Sequence, residues 1–299
     1  MNFEIIIMQL FNGLSLSSIL LLIGMGLSIT FGIMGVINFS HGEFLMLGAY
    51  TVYISEKILV SVMGSNSFLI ALPASFLFAG LLGFVLEKFI IRFLYGRPYE
   101  SILVTWGISL IMQQMARNIF GASNVEAISP SWLTGGVKIS SGIQLPYNRI
   151  FIIIISVLSI TAMYFYIYKS VNGRKMRAVM QNRGMGACMG INTQKVDSIT
   201  FAIGCGLAGV AGSIVSLLGS IGPSTGQNYI IDSFMVVVLG GVGNLGGTIA
   251  GALMMGIASP FIEFVTTSSM GKVIIFILII IFLQFKPSGL FTIKTRSLD

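Results

Sequence analysis

The chain has 299 residues, 55% of them hydrophobic and only 9% charged, with a mean hydropathy of +0.93. Soluble domains carry about 25% charged residues, so a soluble fold is excluded, and nothing is left over for a separate catalytic domain. The net charge of +7 falls between apolar runs, where it signals membrane topology and not a nucleic-acid partner.

Apolar runs of span length recur from end to end, without the alternation of a β-barrel. The expected fold is an all-α polytopic membrane protein of about 8–10 transmembrane helices, some of them broken, forming a single transmembrane domain over 1–299. The opening residues, MNFEIIIMQLF, lack a basic leader region and read as the start of a retained span. Spans are expected at about Leu10–Val36, Gly42–Leu59, Phe68–Phe93, Ser101–Phe120, Ile150–Tyr168 and Ile199–Leu218. Three shorter apolar pieces follow at Ile230–Gly240, Thr248–Ile262 and Val273–Phe285. Gly121–Arg149 is the longest polar connection, and Lys169–Lys195 is a basic one.

Twelve of the 17 basic residues lie in three sets: Lys88, Arg92 and Arg97; the six from Lys169 to Lys195; and Lys286, Lys294 and Arg296. Nine spans place all three sets on one side. The positive-inside rule makes that side cytoplasmic, with the N-terminus outside, the C-terminus cytoplasmic and the 121–149 loop external. Cys188 and Cys205 have no metal-ligand spacing, and neither a disulfide nor a metal site is expected.

Thr30–Tyr50 interrupts an apolar run with polar residues, including His41, the chain's only histidine. Ser40-His41-Gly42-Glu43 fits a capping box, in which Ser40 caps a new helix and Glu43 reaches back, while Gly35 and Asn38 close the helix before it. A helix restarting at membrane depth also points free N–H groups inward, where a solute carbonyl or carboxylate is accommodated. Tyr50 lies seven residues beyond Glu43, on the same helix face. His41 reads either as a structural or path-lining group or as a thin proton relay.

Gly240–Thr248, GGVGNLGGT, contains G-x-G-x-x-G, but it lies between two membrane segments and not inside a βαβ unit. A second helix break or close crossing is expected there, with Gly240, Gly243 and Asn244 echoing Gly32, Gly35 and Asn38. Asp232 reads as a helix-start carboxylate or a residue of the outer mouth, and Gln113 as interhelical glue or path lining. In Gly173–Ile191, Met176, Val179 and Met180 follow helical spacing beside Arg174, Lys175 and Arg177, and Gly184, Gly186 and Gly190 then break the helix. This segment suits either an anionic lipid surface or docking on a partner, with Met176, Met180, Met185 and Met189 as adaptable contacts. No phosphate loop, H-E-x-x-H, paired carboxylates or G-x-S-x-G elbow is present.

Three stretches, Asn38–Tyr50, Gly173–Asp197 and Val236–Ala252, resemble the branched-chain amino acid type of ABC importer permease. Arg97–Gly121 and Gly222–Val238 more closely resemble the urea branch of that family. The likeness runs the length of the chain in order. It implies a multi-pass permease of the bacterial inner membrane that pairs with a second, similar permease in a heterodimer. Two ATPase subunits would hold ATP and Mg, with no cofactor on this chain, and an external binding protein would deliver solute. Under the resemblance, residues 170–196 become the coupling segment, with Arg174, Met176, Arg177, Met180, Arg183, Met185, Met189 and Gly190 facing the ATPase.

The expected solute is urea or a short-chain amide, with Asn38, Ser40, His41, Glu43, Tyr50, Gln113, Asp232 and Asn244 as path-lining candidates. A carboxylate solute needs a cation, and the nearest one in sequence, Arg117, ends a span. Import of branched-chain or other amino acids is the alternative within the family. A stand-alone channel or proton-coupled carrier is the alternative outside it.

Overall fold

The structure is a computed structural model that describes residues 3–140 and 143–291. Lys294 and Arg296, counted above for orientation, lie outside the described residues. Eleven α-helices make up nearly all of it: α1 Phe3–Met34, α2 His41–Met63, α3 Ser67–Phe89, α4 Pro98–Phe120, α5 Tyr147–Lys169, α6 Val171–Gln181, α7 Arg183–Cys188, α8 Thr193–Val215, α9 Thr225–Gly240, α10 Leu245–Val265 and α11 Ser268–Phe285. The fold is the all-α polytopic membrane architecture the composition calls for. Among the described residues, α1, α3, α5, α8, α10 and α11 are long and apolar enough to cross a bilayer.

The two ends of the bundle differ in chemistry. At one end Arg183 reaches Tyr95, the Met180 methyl lies over Gly32, and Leu290 N–H bonds to Leu239 O at 2.8 Å. This gathers the basic segments, Lys286 among them, at a single face, which the positive-inside rule makes cytoplasmic. The opposite end carries an antiparallel hairpin, β1 Gly136–Ser140 and β2 Ile143–Pro146, with Val137 opposite Leu145. There Val125 and Ile221 exchange backbone hydrogen bonds at 2.8 Å.

The interior is built on α1 and α8, both largely buried, while α3, α5, α10 and α11 present Leu, Ile and Phe outward. Outward apolar side chains are at no disadvantage in lipid, so packing inside relies on small residues that let backbones approach. Gly26 lies against Gly204, Gly48 against Gly209, and Gly212 against the Leu45 carbonyl; Ser213 donates to Ser75 at 2.5 Å. Side-by-side contacts at Ser75–Ser213, Ala79–Gly209, Gly83–Cys205 and Glu87–Ser198 run α3 antiparallel along α8.

Two helices begin inside the bundle. Gly35, at φ +62°, ends α1, and its N–H bonds to Phe31 O at 2.9 Å. The chain then turns back into the protein, because His41 at the head of α2 lies 3.3 Å from Ile23 O. Ile23 is eleven residues before the end of α1, roughly 16 Å up the helix at 1.5 Å per residue. Beyond α8 the chain folds inward again, with Ile221 buried against Met46 and Tyr50. There α9 starts where Gly226 meets Gly42. With 16 residues, α9 is about 24 Å long, short of the roughly 30 Å hydrocarbon core. The first turns of α2 and α9 cross at Gly42 and Gly226 and run apart, α2 toward the hairpin end and α9 toward the basic end.

Candidate functional site

The crossing of α2 and α9 gathers most of the sequence-predicted polar residues. Asn38 sits in the turn before α2, and its Oδ1 accepts from Ser40 N at 3.0 Å and Ser40 Oγ at 2.6 Å. The expected capping box does not form. Ser40 makes no side-chain cap to α2, and Glu43 turns away from the helix start toward α4. The physical reason is competition: Asn38 engages the serine hydroxyl, and α4 offers two donors to the carboxylate. Ser109 Oγ donates to Glu43 Oε1 at 2.8 Å and Gln113 Nε2 donates to it at 2.7 Å. Among the described residues no salt bridge involves Glu43.

His41 is fully buried, with Nε2 toward the Ile23 carbonyl. Tyr50 stacks on Phe120 with ring centroids 4.1 Å apart. Asn38, Ser40, His41, Glu43, Tyr50 and Gln113 are all buried. Asn38 Nδ2, His41 Nδ1, Glu43 Oε2 and Tyr50 Oη have no hydrogen-bond partner among the described residues. Four such atoms around the first turns of one membrane-embedded helix are a concentrated reserve of polar capacity.

Asn244 does not join this group. It caps α10 at the basic end, its Oδ1 accepting from Gly247 N at 3.1 Å, after a turn in which Gly241 and Gly243 have φ of +100° and +77°. The G-x-G-x-x-G stretch is therefore a tight turn with a close crossing, Gly240 against Gly247. Its relation to Gly32 is contact, since Gly32 lies on Gly243. The stronger echo is one the sequence reading missed: Ser224-Thr225-Gly226-Gln227 opens α9 as Ser40-His41-Gly42-Glu43 opens α2.

Asp232 is in a different place, a cavity of about 330 Å³ between α1, α9, α10 and α11. Its Oδ2 lies 3.2 Å from Lys272 Nζ. Glu263, Tyr229, Asn228 and Ser259 share the cavity, with Leu16 and Leu20 as its apolar wall. Lys272 and Glu263 escape a sequence reading that starts the final apolar run at Val273. The helix in fact begins at Ser268, capped by Thr267, which places Lys272 inside it. Two acids and one amine inside the bundle are costly against lipid, so this face meets water, solute or protein.

The basic segment forms α6 and α7. Ser170 caps α6 by accepting from Gly173 N at 2.9 Å, and Asn182 caps α7 by accepting from Met185 N at 2.9 Å. Met176 and Val179 are buried, and Met180 reaches Gly32, so these two methionines anchor the segment to the bundle. Arg177 lies 5.0 Å over the Tyr168 ring. Arg174, Met185, Met189 and Gly190 are exposed, Gly190 with φ +78°. Arg183 turns inward, with Nη2 2.5 Å from Asp197 Oδ2 and the guanidinium 5.0 Å over Tyr95. The Tyr95 hydroxyl donates to Glu87 Oε1 at 2.5 Å, and burial together with that bond pushes the phenol above its usual range. Ser198 Oγ donates to the second Glu87 oxygen.

Comparison with known proteins places this architecture. Residues 9–283 match the family described as the permease component of branched-chain amino acid transport systems. The chain belongs to that family. It is 32% identical to the high-affinity branched-chain amino acid transport permease BraD of Pseudomonas aeruginosa, over 94% of each chain. It is 30% identical to the LivH permease of Escherichia coli K12, over 97% of this chain and 96% of the relative. A shorter likeness, 32% over 38% of each chain, links it to the E. coli ribose import permease RbsC. No solved structure matches the chain.

Proposed function

We propose that the chain is the membrane-spanning subunit of an ATP-driven importer in the inner membrane, and that its solute is a branched-chain or similar amino acid. The observation that carries the solute is the Asp232–Lys272–Glu263 cavity. A zwitterion needs an anion and a cation within one molecule's length, and here both line one cavity between α1, α9, α10 and α11. Sequence alone favours a neutral solute, because Arg117 is the nearest cation it offers; Lys272 removes that objection. The solute's ammonium group sits between Asp232 and Glu263, and its carboxylate takes Lys272. The named substrates of BraD and LivH support the same choice.

A second reading, urea, is favoured by where the urea-like stretches lie. Arg97–Gly121 is α4 and Gly222–Val238 forms the start and body of α9, the two elements packed on the first turns of α2. The polar groups that α4 turns toward Glu43, Ser109 and Gln113, are neutral. Urea, with one acceptor and four donors, meets the unpaired atoms of Asn38, His41, Glu43 and Tyr50 without needing a charge.

Uptake of labelled leucine and labelled urea by cells with and without the gene separates the two. Loss of leucine uptake alone, with a raised KM in Lys272→Gln, is the expected result. Loss of urea uptake alone overturns the amino-acid reading in favour of the second, and loss of neither overturns both.

In this reading ATP and Mg belong to two ATPase chains that dock on α6 and α7, a second permease completes the pore, and an external protein supplies solute. The exposed pair Met185 and Met189 is the docking contact, while Met176 and Met180 are anchors. Met185→Asp with Met189→Asp is expected to release the ATPase on affinity purification while the permease still reaches the membrane. If ATPase is retained at wild-type stoichiometry, docking lies elsewhere.

A further inference from the structure

The family resemblance groups Arg183 with the residues that face a partner, yet its guanidinium is engaged by the protein itself. The arginine side chain is 39% exposed, but its charged end is held by Asp197, whose side chain is 0% exposed, and by the Tyr95 ring. Tyr95 is in turn bound to Glu87, a buried carboxylate shared with Ser198. The chain of contacts therefore runs from α7 through the segment after α3 into α3 and α8. Met176, Val179 and Met180 fix α6 by apolar contact, which tolerates sliding; the Arg183 contacts are directional and do not.

An ion pair in which the carboxylate, Asp197, is fully buried is a poor device for stability alone, because desolvation offsets much of the attraction. What it does supply is one defined geometry. The elements it grips suit that role. The helices α3 and α8 meet through Gly83 on Cys205, Gly209 on Ser75 and Ala79, and the Ser213–Ser75 bond, and α2 joins them at Gly48 and Gly212. Interfaces packed this closely move together rather than deform.

We propose that Arg183 is a positioning residue that ties the coupling segment to a rigid unit of α2, α3 and α8. Displacement of α6 and α7 by the ATPases is thereby delivered to the α2–α9 crossing. The proposal rests on the importer reading above and assigns to this arginine a task separate from docking. A loose coupling segment would still bind the ATPases and would no longer move the spans.

The test uses the whole transporter, permeases with ATPases, in proteoliposomes supplied with binding protein and solute. Three quantities are read: ATPase retained on purification, ATP hydrolysed, and solute taken up per ATP. Arg183→Gln is expected to keep the ATPase and hydrolyse ATP, with uptake per ATP reduced about tenfold, the scale of one lost charge-assisted hydrogen bond. Tyr95→Phe, which removes only the hydroxyl bound to Glu87, is expected to lower the same ratio by a smaller factor. Should Arg183→Gln fail to reach the membrane, Arg183→Lys decides the matter, since it keeps the charge and loses the fork and ring stacking. An unchanged ratio in the variant that reaches the membrane overturns the proposal, and so does loss of the ATPase, which would make Arg183 a docking contact. Failure of the importer reading is distinguishable, because the wild-type chain would then retain no ATPase.

Discussion

Gly42→Val is expected to prevent the bundle from closing, giving aggregate instead of a single peak on size-exclusion chromatography in detergent. A Cβ at Gly42 overlaps the Gly226 carbonyl oxygen and sits 2.9 Å from Ile230 Cβ. The obstruction is backbone, which cannot rotate away as a side chain can. Overpacking of ordinary cores costs about 1–3 kcal/mol, and the backbone clash here places the variant at or above the top of that range. Total stabilities are only about 5–15 kcal/mol. The comparison variant is Gly107→Val in α4, where an added Cβ meets nothing within 4 Å; it should elute like the wild type. If Gly42→Val also does, the α2–α9 crossing is looser than these distances require.

Glu43→Leu is expected to lower the unfolding midpoint of the solubilised protein markedly, whereas Glu43→Gln stays close to wild type. Glutamine keeps an oxygen where Ser109 and Gln113 donate. Leucine leaves those buried donors short of an acceptor, at about 1–3 kcal/mol for each unsatisfied group. The pair of substitutions also tests charge. If Glu43→Gln abolishes uptake while preserving the midpoint, the carboxylate has a role as an ion or proton carrier, and the proton-coupled alternative returns. If Glu43→Leu melts like the wild type, the Glu43–Gln113 link contributes nothing.

The helices are readable from the sequence because apolar runs between turns of Gly, Pro and Asn mark membrane spans directly. All nine expected segments correspond to helices, down to the short α9. The break at Gly35–Ser40 is also legible, since glycine and asparagine inside an apolar run end a helix and polar side chains there avoid lipid. What the break does is not legible. The S-x-x-E pattern describes local partners, and Glu43 takes partners 66 and 70 residues away. Sequence spacing carries no information about such a choice. Lys272 is hidden by its position just before an apolar run, where the boundary of a span is least determined. In the basic segment of α6 the 3.6-residue period is visible at Met176 and Met180, but which face of that helix turns inward is settled by Gly32 of a distant helix.

The reversal of the chain after α1 also bears on how the protein is made. When α2 leaves the ribosome, the groups that will satisfy it do not yet exist: Ser109 and Gln113 follow some 70 residues later, and Gly209, Gly212 and Gly226 more than 150. Until then a glutamate and two glycines, Gly42 and Gly48, face lipid, the translocon or each other, while His41 already has the Ile23 carbonyl. The nascent chain therefore holds an incompletely satisfied segment through most of its synthesis. Completion of α8 and α9 is the event that supplies the last of the neighbours of α2.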